Sequence, residues 1–219
     1  MDGTDKKKLG MRAFGLLIIL GFVNAIMYCF PYVRYVFYDQ QIAAMGITNE
    51  QSGMLLSIYS IVNMVTLIPG GILADKFSVK KCLVYSILGS VAAIVIYALT
   101  MNFIVACFVW ALVGVSTIFV FWCAITKAVG MVGSEETQGT CYGIYYAASG
   151  IVSAVLNAVC LWASRFSDDP AQSFIIAMWV MAAWTLLAAV LVILFFKEKD
   201  IAPGNPDDRE HFEQEFSAR

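Results

Sequence analysis

Charge and histidine are both scarce in this sequence. Only 14% of its 219 residues are charged, whereas a soluble domain usually carries about a quarter. The single histidine, His211, lies in a polar stretch near the C-terminus, which argues against a histidine-based catalytic or metal site in the apolar part of the chain. The six cysteines form no C-x-x-C pair, so we expect reduced thiols, no bound metal and no cofactor.

Long uncharged runs are what the sequence has instead. A bilayer-spanning helix needs about 20 consecutive apolar residues, and six runs come close to or exceed that length; they are residues 13–38, 51–74, 82–100, 103–125, 141–163 and 174–196. The first run is too long for a signal peptide and no small-residue cleavage site follows it, so we expect it to be retained. The pattern predicts an all-α membrane protein with six transmembrane helices.

The distribution of Lys and Arg predicts the orientation of these helices. With the N-terminus inside, the outer segments contain only Arg34 and Arg165, and every other basic residue lies inside. By the positive-inside rule we expect a multi-pass protein of the plasma (inner) membrane with both termini cytoplasmic. Residues 1–12 would be the cytoplasmic N-terminus, 13–196 the transmembrane domain, and 197–219 a polar, cytoplasmic linker-like tail.

A short internal repeat links the two halves of the domain. Residues 48–59 read TNEQSGMLLSIY and residues 134–145 read SEETQGTCYGIY. Five positions correspond at an offset of 86 residues: Thr48 and Ser134, Glu50 and Glu136, Gly53 and Gly139, Ile58 and Ile144, Tyr59 and Tyr145. We expect a hydroxyl cap, an acid in the first turn and a small residue for close packing in each copy. The alternative is two generic helix starts that agree by chance.

The two copies begin predicted helices 2 and 5, which enter the membrane from opposite sides. Residues 13–100 and 103–196 would therefore form a three-plus-three inverted repeat. Such repeats are a known building plan of secondary transporters.

The loop GGILADKFSVKK, residues 70–81, resembles the signature loop of the major facilitator superfamily. The matching residues are Gly71, Asp75, Lys76, Lys80 and Lys81. The chain departs from the family pattern at Ser78, where a glycine is usual, and an ordinary positive-inside loop is the alternative. The resemblance implies that these five residues act as a conformational latch, which contacts helix ends in the opposite half without touching substrate.

The resemblance covers the whole chain but only half of the family's fold. It implies that the chain is one six-helix half of a major facilitator fold, with the tail resembling the interdomain linker. The expected partners are the lipid bilayer, a small anionic solute, and a second six-helix half, either another copy of this chain or a separate C-terminal half. No nucleic-acid partner is expected.

Polar residues form stripes along three predicted helices when placed at 100° per residue. The stripes are Asn24, Tyr28, Pro31, Tyr35 and Tyr38, with Arg34 at the edge, on helix 1; Ser52, Tyr59, Asn63 and Thr66 on helix 2; and Tyr142, Tyr146, Ser149, Ser153 and Asn157 on helix 5. Such stripes mark helix contacts or water-lined cavities. The candidate substrate-binding residues are Arg34, Asn24, Tyr28, Tyr35, Tyr59, Asn63, Tyr146 and Ser149.

Within the superfamily, the setting YVRYVF around Arg34 resembles the anion-binding arginine of the organophosphate/phosphate exchangers. Some relatives carry a His or Arg on helix 5 near the position of Ser149, and none is present here. The proton-coupling arginine of the family's helix 4 also has no counterpart between Phe103 and Ile125. Exchange therefore fits better than proton symport. The alternative for Arg34 is an arginine that snorkels to the outer headgroups.

These observations predict secondary active transport of a small anionic organic solute by alternating access. A non-transporting sensor or assembly module that keeps the fold is the alternative. An enzyme is not expected, because the apolar runs contain no His or Glu and the chain has no G-x-S-x-G motif.

Overall fold

The computed structural model describes residues 10–132 and 136–196; the side chains of 73–76 and 120 lie outside this description. Eight α-helices are present in these ranges: α1 Met11–Cys29, α2 Tyr38–Met45, α3 Asn49–Lys76, α4 Val79–Thr100, α5 Phe103–Gly114, α6 Cys123–Val132, α7 Gln138–Ser164 and α8 Pro170–Phe195. A 3-10 turn, Val33–Tyr35, follows α1, and a π-helical stretch, Val115–Trp122, joins α5 to α6. We call this stretch the π segment.

Six of the helical stretches in the described ranges are long and apolar enough to cross a membrane: α1, α3, α4, the continuous helix Phe103–Val132, α7 and α8. The all-α, six-span fold predicted from the apolar runs is therefore confirmed. The fourth span differs from the expectation of a regular helix, because its middle is the π segment.

Three of the main pairs of spans would be preserved by an exchange of the first three spans with the last three. These pairs are α1 with α7, α4 with α8, and α3 with both α5 and the π segment; α7 also packs against α8, whereas the described residues of the corresponding α3 and α4 make no comparable contact. Exchanging the two sets converts the α1–α7 pair into the pair of α3 with the fourth span, and converts the α4–α8 pair into itself. An inverted repeat requires this symmetry.

The first helix ends earlier than the apolar run of residues 13–38 predicts. It stops at Cys29, and the chain continues through the 3-10 turn Val33–Tyr35 into the short helix α2. Pro31 is the physical reason, because it has no N–H to donate and its ring clashes with a carbonyl of the preceding turn. The predicted stripe of helix 1 is thus broken after Tyr28.

The two copies of the short repeat begin their helices differently. In the first, Gln51 N–H donates to Thr48 Oγ1 (3.3 Å) and Thr48 N–H donates to Gln51 Oε1 (2.9 Å), which is the expected hydroxyl cap. In the second, Ser134 lies outside the described residues. Glu136 precedes α7, and the first turn of α7 contains no acid. The prediction of an acid in that turn is therefore wrong.

Hydrogen bonds connect the short helix α2 to the bundle. Gln41 is buried; its Nε2 donates to Tyr97 Oη of α4 (3.2 Å), and its Oε1 accepts from Ser52 Oγ of α3 (2.9 Å). The Tyr97 ring packs against Phe30 and Trp110. These contacts fix the turn that carries Arg34 relative to α3 and α4.

Candidate functional site

Arg34 lies in the 3-10 turn between α1 and α2 and is half-buried. Its Cζ is 5.5 Å from the centroid of the Tyr38 ring, and the Tyr38 hydroxyl donates to Asn49 Oδ1 at the start of α3. Arg34 Nη1 is 3.5 Å from the place that a Cβ on Gly53 would occupy. The guanidinium is therefore held between the ring of Tyr38 and the small residue Gly53 of α3.

Across residues 10–132 and 136–196, Arg34 has no ion pair and no hydrogen bond. The guanidinium makes a cation–π contact with the Tyr38 ring, an interaction worth about 0.5–1 kcal/mol at exposed sites. A guanidinium has five N–H donors in a planar fork that matches a carboxylate or phosphate. Arg34 can therefore bind an anion without first breaking an ion pair to another described residue.

The first of two close helix contacts joins α1 to α7. A Cβ on Gly21 would lie 2.6 Å from the carbonyl oxygen of Tyr145 and 3.1 Å from the Ser149 nitrogen, so only glycine fits there. Three residues later, Asn24 Nδ2 donates to Ser149 Oγ (2.9 Å), and both residues are buried. We call the contact formed by Gly21, Asn24, Tyr145 and Ser149 the α1–α7 seam.

Several buried polar atoms near this seam lack a hydrogen-bond partner among the described residues. They include Asn24 Oδ1, Tyr28 Oη and Tyr145 Oη. The Tyr28 ring packs edge-on against Trp122 with centroids 6.0 Å apart. An unpaired buried polar group costs about 1–3 kcal/mol, so these atoms favour the approach of a polar ligand.

The second close contact joins α3 to the fourth span. A Cβ on Gly114 would lie 2.9 Å from Val62 Cγ1 and 3.3 Å from Asn63 Oδ1. Thr117 Oγ1 of the π segment is 3.2 Å from Tyr59 Oη, while Asn63 Oδ1 is buried without a partner in the described chain. We call the contact formed by Gly114, Thr117, Tyr59 and Asn63 the α3–π seam.

The remaining candidate residues lie outside the two seams. Tyr146 is 49% exposed on α7 and stacks against Tyr142, with ring centroids 6.3 Å apart. Tyr35 is 70% exposed in the turn. Tyr32, absent from the predicted stripes, lies between the turn and α3, because its ring contacts both Tyr35 (6.0 Å) and Tyr59 (5.9 Å).

Sequence reasoning missed Gly114 and Thr117 in the α3–π seam. The spacing of Gly114 and Thr117 repeats that of Gly21 and Asn24 on α1. That shared spacing could have pointed to them. The π segment itself gave no comparable signal, since its residues read as an ordinary apolar helix.

Comparison with known proteins decides the family. The sequence model of the Major Facilitator Superfamily matches residues 12–219. The chain belongs to this superfamily. It is 26% identical to the inner membrane protein YihN of Escherichia coli, over 90% of this chain and 47% of that protein.

Two further relatives resemble the chain over a similar range. The inner membrane protein YqcE of Escherichia coli is 22% identical over 92% of this chain and 48% of its own length. The MG294 homologue of Mycoplasma pneumoniae is 27% identical over 84% of this chain and 43% of its own length. The chain thus spans about half the length of the curated relatives that it matches.

The superfamily's signature loop, residues 70–81, covers the last turns of α3, the link 77–78 and the first residues of α4. Nothing lies within 4 Å of a Cβ placed on Gly71, and the side chains of Asp75 and Lys76 lie outside the described residues. Lys80 Nζ donates to the carbonyl oxygen of Ile193 near the end of α8 (2.8 Å), whereas Lys81 is exposed. This contact of Lys80 is made within the same six-helix bundle, and contacts of the loop with an opposite half stay a prediction.

Ser78 explains how the loop accommodates the missing glycine. Its φ is -59°, an ordinary value for an L-residue, and its hydroxyl accepts from the Lys81 N–H as the N-cap of α4. The turn therefore needs no left-handed residue at this position, and serine contributes a cap that glycine lacks.

Proposed function

We propose that this chain is one six-helix half of a secondary transporter that carries a small anionic organic solute by alternating access. Anion exchange is the expected mode, in an inner membrane with both termini cytoplasmic. Membership of the superfamily and the inner-membrane names of the Escherichia coli relatives support this proposal. The observation that carries it is the guanidinium of Arg34, which has no acidic partner among the described residues.

The surroundings of Arg34 favour an anion contact over a headgroup anchor. A snorkelling arginine extends a flexible stem toward the lipid headgroups. Here the guanidinium instead turns onto Tyr38 and toward the backbone of α3 at Gly53. An arginine held in this way loses less conformational entropy when it binds a carboxylate or phosphate, because part of its freedom is already lost.

Neutral polar groups would contact the rest of the solute. Asn24 and Tyr28 at the α1–α7 contact, and Asn63 at the α3–π seam, each keep a buried oxygen without a partner in the described residues. Tyr59 lies between Tyr32 and Thr117. We infer that the charged end of the solute binds Arg34 and that its polar body contacts these side chains.

A second six-helix half is the partner that the uncovered faces favour. On α7, nothing lies within 4 Å of a Cβ placed on Gly139, Gly143 or Gly150. On α3, Ser57 and Ser60 are exposed. Small and hydroxyl residues are typical of helix–helix contacts within a membrane rather than of lipid-facing surfaces. We infer that a second copy of this chain, or a separate C-terminal half, covers both faces.

The signature loop would act on the conformational equilibrium of such an assembly. We infer that Asp75 and its basic neighbours contact the opposite half on the cytoplasmic side and bias the balance of inward-facing and outward-facing states. A ligand or contact shifts such a balance only by its different affinity for the two states. The loop would therefore change rates of alternation without contacting the solute.

Reconstitution tests the proposal directly. The full chain is placed in liposomes loaded with phosphate, and the exchange of external radiolabelled phosphate is followed. Liposomes without protein are the control. Native mass spectrometry of the same preparation gives the number of chains in the assembly. We expect exchange by an assembly of two halves. Liposomes that neither accumulate nor exchange phosphate would favour the non-transporting module. A stable monomer that exchanges phosphate would contradict the half-transporter.

A further inference from the structure

The two seams share a residue pattern that assigns a role to Thr117. On α1, Gly21 is followed three residues later by Asn24, and on the fourth span Gly114 is followed three residues later by Thr117. Each glycine packs closely against the partner helix, and each polar residue contacts a polar side chain of that helix. Thr117 therefore takes the place in the α3–π seam that Asn24 takes in the α1–α7 seam.

The hydroxyl of Thr117 orients the hydroxyl of Tyr59. Thr117 is fully buried, and its Oγ1 is 2.8 Å from the Val113 carbonyl oxygen and 3.2 Å from Tyr59 Oη. A threonine hydroxyl has one proton, and the shorter contact assigns it to the Val113 carbonyl, as in other helical threonines. Thr117 Oγ1 then accepts a hydrogen bond from the Tyr59 hydroxyl. This arrangement leaves the Tyr59 oxygen able to act as a hydrogen-bond acceptor.

The π segment holds Thr117 in this position. The backbone of Phe119 lies so near Gly70 of α3 that any Cβ there would overlap with it. Further along the segment, Phe121 and Trp122 pack against Tyr28 of α1. The segment is thus fixed against two of the helices that carry candidate site residues, and π-helical turns are found frequently at functional sites.

We propose that Thr117 is a positioning residue of the solute site and acts through Tyr59. By accepting the hydrogen bond of the Tyr59 hydroxyl, it presents the Tyr59 oxygen together with the unpaired Asn63 Oδ1 as two acceptors for an O–H or N–H group of the solute. This inference rests on the proposed function, since the solute is the one proposed there.

A spectroscopic experiment tests the link between Thr117 and Tyr59 without transport. The full chain carries 3-fluorotyrosine at position 59, and its ¹⁹F resonance is recorded in detergent. Thr117→Val removes the hydroxyl at nearly constant shape and should shift the resonance, whereas Thr117→Ser keeps the hydroxyl and should not. Ser116→Ala is the matched control, because Ser116 Oγ faces Gly89 of α4 instead. An unchanged resonance in Thr117→Val overturns the proposal.

Exchange of a hydroxyalkyl phosphate in liposomes tests the consequence for binding, because its phosphate can bind Arg34 while its hydroxyl contacts Tyr59 and Asn63. Thr117→Val should raise the KM for this monoester about tenfold, the scale of one hydrogen bond, with an unchanged maximal rate, and Thr117→Ser should restore the parental KM. In a Tyr59→Phe background the effect of Thr117→Val should vanish. A shifted resonance with an unchanged KM overturns the positioning role. If the parent exchanges neither this monoester nor phosphate, the proposed function fails, and the resonance alone decides whether Thr117 orients Tyr59.

Discussion

The α1–α7 seam and the α3–π seam have the same parts in the same order. Each places a glycine, and three residues later a polar side chain, against a tyrosine and a second polar residue four positions further along the partner helix. In the α1–α7 seam, Asn24 bonds to the later of these residues, Ser149, and the tyrosine hydroxyl is unpaired within the described chain. In the α3–π seam the polar residue contacts the tyrosine instead, and Asn63 Oδ1 is unpaired there.

This difference distinguishes the Asn24–Ser149 hydrogen bond, a structural contact between helices, from the α3–π seam, a candidate binding surface. The direct bond of Asn24 to Ser149 joins two helices, which is the helix-contact alternative for these two polar residues. Both seams keep acceptors unpaired among the described residues, Asn24 Oδ1 and Tyr145 Oη in the first and Asn63 Oδ1 in the second, but only the second of these two seams includes the π segment, a rare backbone form. We infer that the first seam combines a stabilising helix contact with a polar surface for the solute, and that the second mainly positions the solute.

The largest expected effect is that of Gly21→Ala. The added Cβ would lie 2.6 Å from the Tyr145 carbonyl oxygen, and a backbone atom cannot rotate away. We expect a loss of at least about 1–3 kcal/mol in the free energy of unfolding, as in other overpacked cores. Denaturant unfolding in detergent measures it.

Two other glycines provide matched controls for Gly21→Ala. Gly114→Ala should cost less, because its nearest neighbour is the Val62 Cγ1 methyl at 2.9 Å, which is farther away than the Tyr145 carbonyl oxygen is from a Cβ on Gly21. Gly139→Ala should cost nothing within this bundle, since no atom lies within 4 Å. Equal stability of Gly21→Ala and Gly139→Ala would show that the α1–α7 seam is not closely packed.

A smaller difference should distinguish Asn24→Ala from Asn63→Ala. The first change removes the hydrogen bond to Ser149 and leaves the Ser149 hydroxyl buried without this partner. The free energy of unfolding should fall by about 1–3 kcal/mol. The second removes the same side chain but no hydrogen bond of Asn63 Oδ1, so its cost should be lower by about 1 kcal/mol. Thermal unfolding of the two variants measures the difference. Equal losses would mean that both seams are held by polar contacts.

The smallest effect is expected at the end of α8. Lys80→Met removes the bond from Lys80 Nζ to the Ile193 carbonyl oxygen, and with it a cation at a helix C-terminus, worth about 0.3–1 kcal/mol. Lys81→Met is the control, because Lys81 is exposed beside it. The difference between the unfolding midpoints of the two variants, measured in low salt, gives the contribution of the Lys80 contact. A larger loss in Lys81→Met would place the stabilising contact elsewhere in the loop.

The number of spans could be predicted from the sequence, because apolar run length is set by bilayer thickness. The Thr48 cap was also readable, since its side chain and Gln51 lie in one short segment. The end of α1 was misjudged, although Pro31 carries the signal, because the apolar run continues to Tyr38. A run of apolar residues indicates that a segment is removed from water, but it does not show whether one unbroken helix forms the whole segment.

The pairing of the polar stripes could not be predicted in the same way. Helical periodicity places Asn24 and Ser149 on polar faces, but only the approach of α1 to α7 at Gly21 brings them together. The contact of Thr117 with Tyr59 depends on the backbone of the π segment. A stripe drawn at the α-helical spacing of 100° per residue does not describe such a segment.

The most direct test of the account compares Arg34→Lys with Arg165→Lys in phosphate exchange by the full chain. Both changes keep the charge, and Arg165 is an exposed residue at the end of α7. Lysine cannot reproduce the bidentate fork of arginine, so Arg34→Lys should weaken phosphate binding by about 1–3 kcal/mol, roughly 5- to 150-fold, while Arg165→Lys should match the parent. If Arg34→Lys binds and exchanges phosphate as well as the parent does, Arg34 is an interface anchor and the proposed anion site is wrong.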